Sequence, residues 1–293
     1  MQEGIIVKGI GGFYYVELQN GELIECKARG KFRKDNITPL VGDRVYIEKI
    51  NNAQGLIKEI KDRKSQLIRP PVANVDQVVV VFALKDPDIS FTLLDRLLVH
   101  VEQKNLDCII CFNKSDLDED GKFEEVHSTY TRAGYNVIKT NALKKEGLEE
   151  LKAFLKGKIT VFAGPSGVGK STLFNSLQDK VKMETGEISE KIGRGRHTTR
   201  HAQLIRIDDE TYLVDTPGFS TLDLSFIEPN DLQYYFKEFR NFIGQCKFSS
   251  CLHVKEKDCA IIENVEEGNI CRIRYNNYLD FLNEILENRR NTR

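Results

Sequence analysis

Hydrophobic and polar residues alternate in five short runs through the first 70 residues of the chain. The runs read GIIVKGI, FYYVELQ, ELIECKA, DRVYIEKI and GLIKEI. Alternation with a period of two is typical of half-buried β-strands, and Asn20-Gly21 between the second and third runs favours a hairpin. Five short strands in one small segment predict a closed β-barrel of the OB type, with an SH3-like barrel as the alternative.

A second pattern begins after Pro70-Pro71, because two successive prolines disfavour both a central strand and a helix. Continuous apolar runs then alternate with amphipathic runs of helical period, which predicts a mostly parallel sheet covered by helices. The predicted strands are 75–84, 106–112, 136–140, 158–163, 202–207 and 211–215. The predicted helices are 91–103, 122–134, 146–156 and 170–179.

The last part of the chain has a third pattern, mostly helical, notably over 231–243 and 271–286. A chain of 293 residues is also too long for one ordinary domain. We therefore expect a multidomain protein with an N-terminal barrel over 1–69, a central α/β domain over 70–220 and a mainly helical domain over 221–293.

Composition narrows the cellular setting. Hydrophobic residues make up 40% of the chain and charged residues 30%, a balance typical of soluble globular proteins. The longest apolar run, VVVVFAL at 78–84, is too short to cross a bilayer, and the N-terminus has no signal-peptide pattern. We therefore predict a cytoplasmic protein with no membrane association. The seven cysteines are an odd number, which argues against a disulfide framework in that setting.

The segment GPSGVGKS at 164–171 fits the phosphate-loop pattern G-x-x-x-x-G-K-[ST] in full. An apolar strand precedes it and a helix-forming run follows, so that backbone N–H groups can surround phosphates at a helix N-terminus. Lys170 is predicted to reach the β- and γ-phosphates, and Ser171 to supply a hydroxyl to Mg²⁺. The predicted phosphate-binding residues are Gly164, Pro165, Ser166, Gly167, Val168, Gly169, Lys170, Ser171 and Thr172.

A base-recognition motif, NKSD, ends the strand 106–112. Its Asp116 can accept hydrogen bonds from N1–H and the 2-amino group of guanine, which adenine does not offer, so the predicted ligands are GTP and GDP. Asn113 can tie this loop to the phosphate loop, Lys114 can lie along the base, and the Ala142 amide can meet O6. The predicted base-binding residues are Asn113, Lys114, Ser115, Asp116, Asn141 and Ala142.

The motif DTPG at 215–218 follows the strand 211–215. Asp215 can hold Mg²⁺ through water, and the Gly218 amide can face the γ-phosphate. In Ras-like chains the phosphate loop comes before the base-recognition motif, whereas here it comes after. Helix 146–156 runs directly into the phosphate-loop strand, so the order predicts a circularly permuted P-loop GTPase domain with its cut after residue 218.

With the motifs NKSD, TNA, GPSGVGKS, RHTTR and DTPG in this order, the chain resembles the RsgA family over its whole length. These are bacterial, small-ribosomal-subunit-dependent GTPases of the YjeQ/YloQ type. The resemblance implies an OB-fold, a permuted GTPase domain and a C-terminal zinc domain. It also implies a GTP hydrolase that binds the small ribosomal subunit and its rRNA in late assembly, and whose activity the subunit stimulates.

The residues alone allow two interpretations of the catalytic group. Phe219 occupies the position where Ras-like enzymes have a water-orienting glutamine, and Phe can neither donate nor accept. His197 in RHTTR is the nearest replacement, or else an exposed bystander; the family resemblance also favours His197. Thr199, with Thr198 as the alternative, is predicted to contact Mg²⁺ and the γ-phosphate.

Three cysteines and one histidine lie within fourteen residues near the C-terminus. Three thiolates and one imidazole are the complement of a closed, structural zinc site, whereas buried cysteines in a small core are the alternative interpretation. The resemblance places zinc on the same four positions. The predicted ligands are Cys246, Cys251, His253 and Cys259.

Two other functions compete with a subunit-stimulated hydrolase. One is a GTP-controlled RNA-binding clamp with negligible catalysis. Phe219 supports this alternative, because it can neither donate nor accept a hydrogen bond. The other is a metallochaperone, against which the four closing ligands argue, because delivery needs a labile site. We expect a monomer whose partners are GTP or GDP, Mg²⁺, one zinc ion, and the small ribosomal subunit with its rRNA.

Overall fold

The computed structural model of the chain describes residues 1–30, 32, 37–68, 70–184, 202–215 and 222–291, with the backbone alone for 179–184. The chain divides into two compact units. The first unit is Met1–Gln77, Glu149–Phe162 and Ser171–Ser220. The second unit is Val78–Leu148, Ala163–Lys170 and Thr221–Arg293.

The first unit begins with a closed five-stranded barrel. Strand β1 pairs with both β2 and β4, and β3 pairs in parallel with β5, so the order β1-β2-β3-β5-β4 returns to β1. The five strands are β1 Gln2–Ile10, β2 Phe13–Leu18, β3 Leu23–Ala28, β4 Arg44–Lys49 and β5 Gln54–Ile60. The OB-fold prediction and the hairpin at Asn20-Gly21 are confirmed.

The alternation of the sequence decides which side chains fill the barrel. In β3, for example, Ile24 and Cys26 are completely buried while Leu23 is 44% exposed. The same alternation places Val16, Leu18, Val45, Ile47 and Ile57 inside the barrel.

The barrel wall continues into the remaining sheet of the first unit. Strand β12 pairs antiparallel with β1 and with β13, and β13 pairs in parallel with β11. The remaining strands of this unit are β6 Gln66–Leu67, β7 Val72–Ala73, β11 Ile159–Ala163, β12 Gln203–Asp208 and β13 Thr211–Asp215. Its helices are α3 Leu148–Leu155 and α4 Lys170–Glu184.

The second unit contains three further strands and the phosphate loop, whereas the strand that leads into this loop belongs to the first unit up to Phe162. Strand β9 pairs in parallel with β10, and β8 follows it in the order β10-β9-β8. Every residue of β8 is buried, as expected of a strand covered on both faces. The elements here are β8 Gln77–Ala83, α1 Phe91–Gln103, β9 Asp107–Asn113, α2 Lys122–Arg132 and β10 Asn136–Lys139.

The C-terminal part of this unit is helical, with one difference from the sequence prediction. Residues 231–243 form two 3₁₀ helices, Leu232–Tyr235 and Lys237–Asn241, instead of one α-helix. The break lies at Phe236, which is extended, and this conformation lets the rings of Phe236 and Phe239 stack in the core at 5.2 Å. Two α-helices follow, α5 Ala260–Glu266 and α6 Arg272–Asn291. Within the described residues, none of the helices combines the length and apolarity needed to span a membrane.

Candidate nucleotide site and metal cluster

A single buried side chain, Asn113, joins three segments of the second unit. Its Nδ2 donates to the Val168 carbonyl oxygen at 2.9 Å, inside the phosphate loop. Its Oδ1 accepts from the Ala142 amide at 3.0 Å and from the Thr140 hydroxyl at 3.2 Å. The predicted bond between the base-recognition loop and the phosphate loop is therefore present.

The same contacts change one detail of the sequence prediction. The Ala142 amide, which we expected to meet guanine O6, points at Asn113 Oδ1. Asn141 shapes the turn that follows, because its Oδ1 accepts from the amides of Leu143 and Lys144 at 3.1 and 3.0 Å. The TNA segment thus supports Asn113, and its contact with a base stays a prediction.

The glycines of the phosphate loop are required by close backbone approach. A Cβ on Gly164 would lie 2.0 Å from the Val81 carbonyl oxygen in β8. A Cβ on Gly169 would lie 2.3 Å from Asn113 Nδ2. Both have positive φ, +140° and +89°, which L side chains rarely adopt. Only glycine therefore lets this loop pass so close to β8 and to Asn113.

Lys170 curls back over its own loop. Its ammonium donates to the carbonyl oxygens of Gly164 at 2.9 Å and Pro165 at 2.5 Å. Burial lowers the pKa of Lys170 from its ordinary value. A charged, half-buried ammonium at the start of a helix is suited to phosphate oxygens, which would compete with these neutral carbonyls.

The rest of the base-recognition motif lies nearer the surface. Lys114 has a left-handed backbone, and its ammonium donates to the Asp86 carbonyl oxygen in the loop after β8. Asp116 lies in the 3₁₀ helix Ser115–Leu117 and is exposed. An exposed carboxylate beside the buried Asn113 can accept donors from a ligand.

The other predicted site residues fall into two groups. Asp215 is exposed at the carboxyl end of β13 in the first unit, and Ser171 and Thr172 lie in the first turn of α4. His197, Thr198, Thr199, Gly218 and Phe219 lie outside the described residues.

A cluster that could hold a metal ion lies in the second unit, formed by Cys246, Cys251, His253 and Cys259. One donor atom from each residue lies within 4.8 Å of all the others. Cys259 Sγ is 3.7 Å from Cys251 Sγ, 3.9 Å from Cys246 Sγ and 3.4 Å from His253 Nδ1. Tetrahedral zinc with Zn–S bonds of about 2.3 Å separates its sulfurs by roughly 3.8 Å. The four residues therefore fit a tetrahedral metal ion.

The histidine of this cluster is oriented by a partner on its other nitrogen. His253 Nε2 lies 2.8 Å from Gln233 Oε1. A ring that donates from Nε2 presents an unprotonated Nδ1 to the cluster, which is the tautomer a metal ligand needs. The Tyr275 hydroxyl donates to the His253 carbonyl oxygen at 2.7 Å, and the Tyr278 hydroxyl to the Leu252 carbonyl oxygen at 2.9 Å. The cluster is thus anchored on α6.

Sequence reasoning identified the residues of the cluster and the base-recognition motif, but not two groups that contact them, Gln233 and the Asp86 carbonyl. No local signal distinguishes Gln233 from the other polar residues around it. The Asp86 carbonyl has no side-chain signature at all. The sequence pattern indicates the motifs, but it does not indicate the groups that orient the side chains of those motifs.

Two family models together match residues 3–225 almost continuously, and curated relatives match nearly the whole chain. The RsgA GTPase family matches residues 60–225, and the RsgA N-terminal domain family matches residues 3–57. A protein named small ribosomal subunit biogenesis GTPase RsgA from Clostridium perfringens (strain ATCC 13124) is 52% identical over 289 residues, covering 99% of this chain and 100% of the relative. Its namesake from Caldanaerobacter subterraneus subsp. tengcongensis is 50% identical over 285 residues, covering 97% and 96%.

Two solved structures are also similar over their full lengths. The crystal structure of YjeQ from Thermotoga maritima superposes with a TM-score of 0.85 at 42% identity, covering 97% of this chain and 98% of that one. The crystal structure of YloQ, described as a circularly permuted GTPase, gives a TM-score of 0.84 at 40% identity, covering 98% and 96%. The circular permutation predicted from motif order is therefore confirmed.

Proposed function

The chain belongs to the RsgA GTPase family, and from that premise we propose that it hydrolyses GTP on the small ribosomal subunit in a late step of the subunit's maturation. The observation that carries the proposal is the position of Asn113, which holds the base-recognition loop against the phosphate loop. Such a link makes recognition of the base and of the phosphates one event, as a nucleotide-operated protein requires.

Guanine specificity rests on the exposed Asp116. Its carboxylate accepts from N1–H and the 2-amino group, and the stem of Lys114 lies along the base. Asn141 and Ala142 complete the loop around O6, and Ser115 sets the turn that presents Asp116. The phosphates lie over the backbone amides of residues 164–169 and the ammonium of Lys170, with Thr172 in the first turn of α4.

Hydrolysis depends on residues of the phosphate loop and of the segments that follow it in the chain. Ser171 and Thr199 would hold Mg²⁺, Asp215 would hold it through water, and the Gly218 amide would meet the γ-phosphate. When bound, the ion neutralises charge on the β- and γ-phosphate oxygens. His197 orients the attacking water, because Phe219 can neither donate nor accept.

The metal of the cysteine and histidine cluster is zinc in this proposal. Cys246, Cys251, His253 and Cys259 supply the complete tetrahedral set, so the role is structural. Gln233 and the two tyrosines on α6 hold the ligands in place, and loading the metal stabilises the C-terminal part of the chain.

The partner surface includes the barrel and the zinc-binding part, which hold rRNA. Lys27 and Arg29 are basic residues at the end of β3, where a phosphate backbone can reach them. Action on the ribosomal subunit places the protein in the cytoplasm, where it works as a monomer.

The experiment is steady-state phosphate release from GTP, with ATP as the control nucleotide, for the protein alone and with purified small ribosomal subunits. The proposal expects slow turnover alone, strong stimulation by the subunit and no reaction with ATP. Slow turnover with GTP that the subunit does not change would contradict the proposal. It would favour a GTP-controlled RNA-binding clamp, because Phe219 can neither donate to nor accept from an attacking water.

A further inference from the structure

Three residues form a row across the sheet of the first unit, from the barrel to the predicted magnesium-binding aspartate. Lys8 of β1 is the register partner of Gln203 in β12. Gln203 is in turn the register partner of Asp215 in β13. One residue of β12 therefore separates the wall of the barrel from Asp215.

A second contact fixes the other end of β12 to the barrel. Arg206 Nη1 donates to Glu17 Oε1 in β2 at 2.7 Å. The other edge of the same guanidinium donates to Asp209 Oδ1 at 2.8 Å, in the turn between β12 and β13. A Cβ on Gly21, in the β2–β3 turn of the barrel, would lie 3.8 Å from Arg206 Nη1.

The strand pairing and the ion pair restrain β12 in different ways. Among the described residues, Lys8 and Gln203 are the one register pair between β1 and β12. A strand held at one point can pivot, whereas a strand held at two points three residues apart moves with its support. The Glu17 carboxylate is largely buried, with 14% of its side chain exposed, which strengthens its attraction for Arg206. The ion pair therefore prevents β12 from rotating about its single register pair with β1.

We propose that Glu17 and Arg206 are positioning residues that couple the barrel to the GTPase site, so that binding of the barrel to the subunit acts on Asp215 through β12. This inference rests on the proposed function, because it concerns how the subunit stimulates hydrolysis. If the coupling is as proposed, the ion pair is unimportant for turnover of the protein alone and necessary for the stimulated rate. In chain order β12 also follows His197 by only six residues.

The test is a double-mutant cycle with Glu17→Gln, Arg206→Met and the combined variant in the full-length protein. Three quantities are measured for each: phosphate release from GTP alone, phosphate release with saturating small subunits, and cosedimentation with the subunit. Glu3→Gln is the matched control, because it removes the 2.7 Å ion pair between Glu3 and Lys61 within the barrel. Because 28% of the Arg206 side chain stays exposed to solvent, loss of the pair should cost little stability, and thermal denaturation of each variant checks that it folds.

We expect each single variant to lose about fivefold or more of the stimulated rate, with unstimulated turnover and subunit binding unchanged. The double variant should be no worse than either single variant, because both remove one interaction. Glu3→Gln should behave as wild type. This pattern separates coupling from a general loss of barrel structure, which would also reduce cosedimentation.

Two results would overturn the inference. If wild type is stimulated and both single variants are stimulated equally well, the coupling through this pair is absent while the proposed function stands. If wild type itself is not stimulated by the subunit, the proposed function fails and the coupling fails with it.

Discussion

Asn113 Nδ2 donates to the Val168 carbonyl oxygen at 2.9 Å, across 55 residues of sequence. The bond joins the end of β9 to the phosphate loop, and both groups are buried. Because the same side chain also accepts from Ala142 and Thr140, it is the point at which all three nucleotide-binding segments of the second unit meet.

Replacing Asn113 by Ala should weaken binding of GTP and GDP. The change leaves the Val168 carbonyl oxygen and the Ala142 amide without this partner in a buried place, at a cost of about 1–3 kcal/mol. We expect a rise of roughly 10- to 100-fold in Kd, measured by titration with a fluorescent guanine nucleotide. Asn136→Ala, at an exposed position of the neighbouring strand β10, is the control. Equal affinity for both variants would contradict the role of Asn113.

Replacing Gly169 by Ala should reproduce this defect without removing any polar group. The added Cβ would lie 2.3 Å from Asn113 Nδ2, so the side chain must leave Val168. Gly157→Ala separates this effect from backbone strain, since Gly157 has φ +70° with nothing within 4 Å of its Cβ. Nucleotide affinity should fall for Gly169→Ala alone. A similar fall in both variants would assign the loss to strain.

The sequence could predict the elements whose signal is local. Alternation identified the five barrel strands, and the glycine spacing identified the phosphate loop. It could not predict Arg274, which is buried by partners 36 and 179 residues away, Glu238 and Asp95. The single helix predicted over residues 231–243 was wrong for a related reason. The pattern is that of a helix, but packing of Phe236 and Phe239 requires an extended residue between two shorter turns.

Replacing Cys259 by Ser should abolish metal binding by the cluster. Cys259 Sγ lies within 3.9 Å of the other three donors, and without this thiolate the tetrahedral set of ligands is incomplete. Metal content of the purified protein, measured by mass spectrometry, should fall from one zinc ion per chain to nearly none. Cys271→Ser is the control, because this half-buried cysteine lies outside the cluster. One zinc ion retained in the Cys259 variant would refute the assignment.

Replacing Gln233 by Leu should weaken the metal site while leaving its four ligands intact. Gln233 Oε1 accepts from His253 Nε2 and fixes the tautomer that presents Nδ1. We expect about 10- to 100-fold lower zinc affinity, measured by competition with a chromogenic chelator. Gln245→Leu is the control, because the Gln245 side-chain amide donates to the nearby Asn241 carbonyl oxygen in an exposed turn, and it should leave affinity unchanged. No difference between the variants would mean that the ring is oriented by other contacts.

Replacing Arg274 by Met should strongly destabilise the second unit. Although burial disfavours its charge, Asp95 and Glu238 hold the pKa of Arg274 well above its ordinary value. Removing the guanidinium leaves two buried carboxylates without their counter-charge, at a cost of about 3–5 kcal/mol in the free energy of unfolding. Denaturant titration measures the change, with the exposed Arg272→Met as control. A loss no larger than that of the control would show that the carboxylates become neutral at little cost.

The double use of strand β1 also constrains how the chain is made. Its first residues, Gln2–Ile5, close the barrel against β4, whereas Lys8 pairs with Gln203. The barrel can therefore close once about sixty residues have left the ribosome. The outer half of β1 is then paired with β2 on one side, but its other side stays an open edge until some two hundred residues have been synthesised. A lysine on that half of the strand discourages pairing with other nascent chains during the interval.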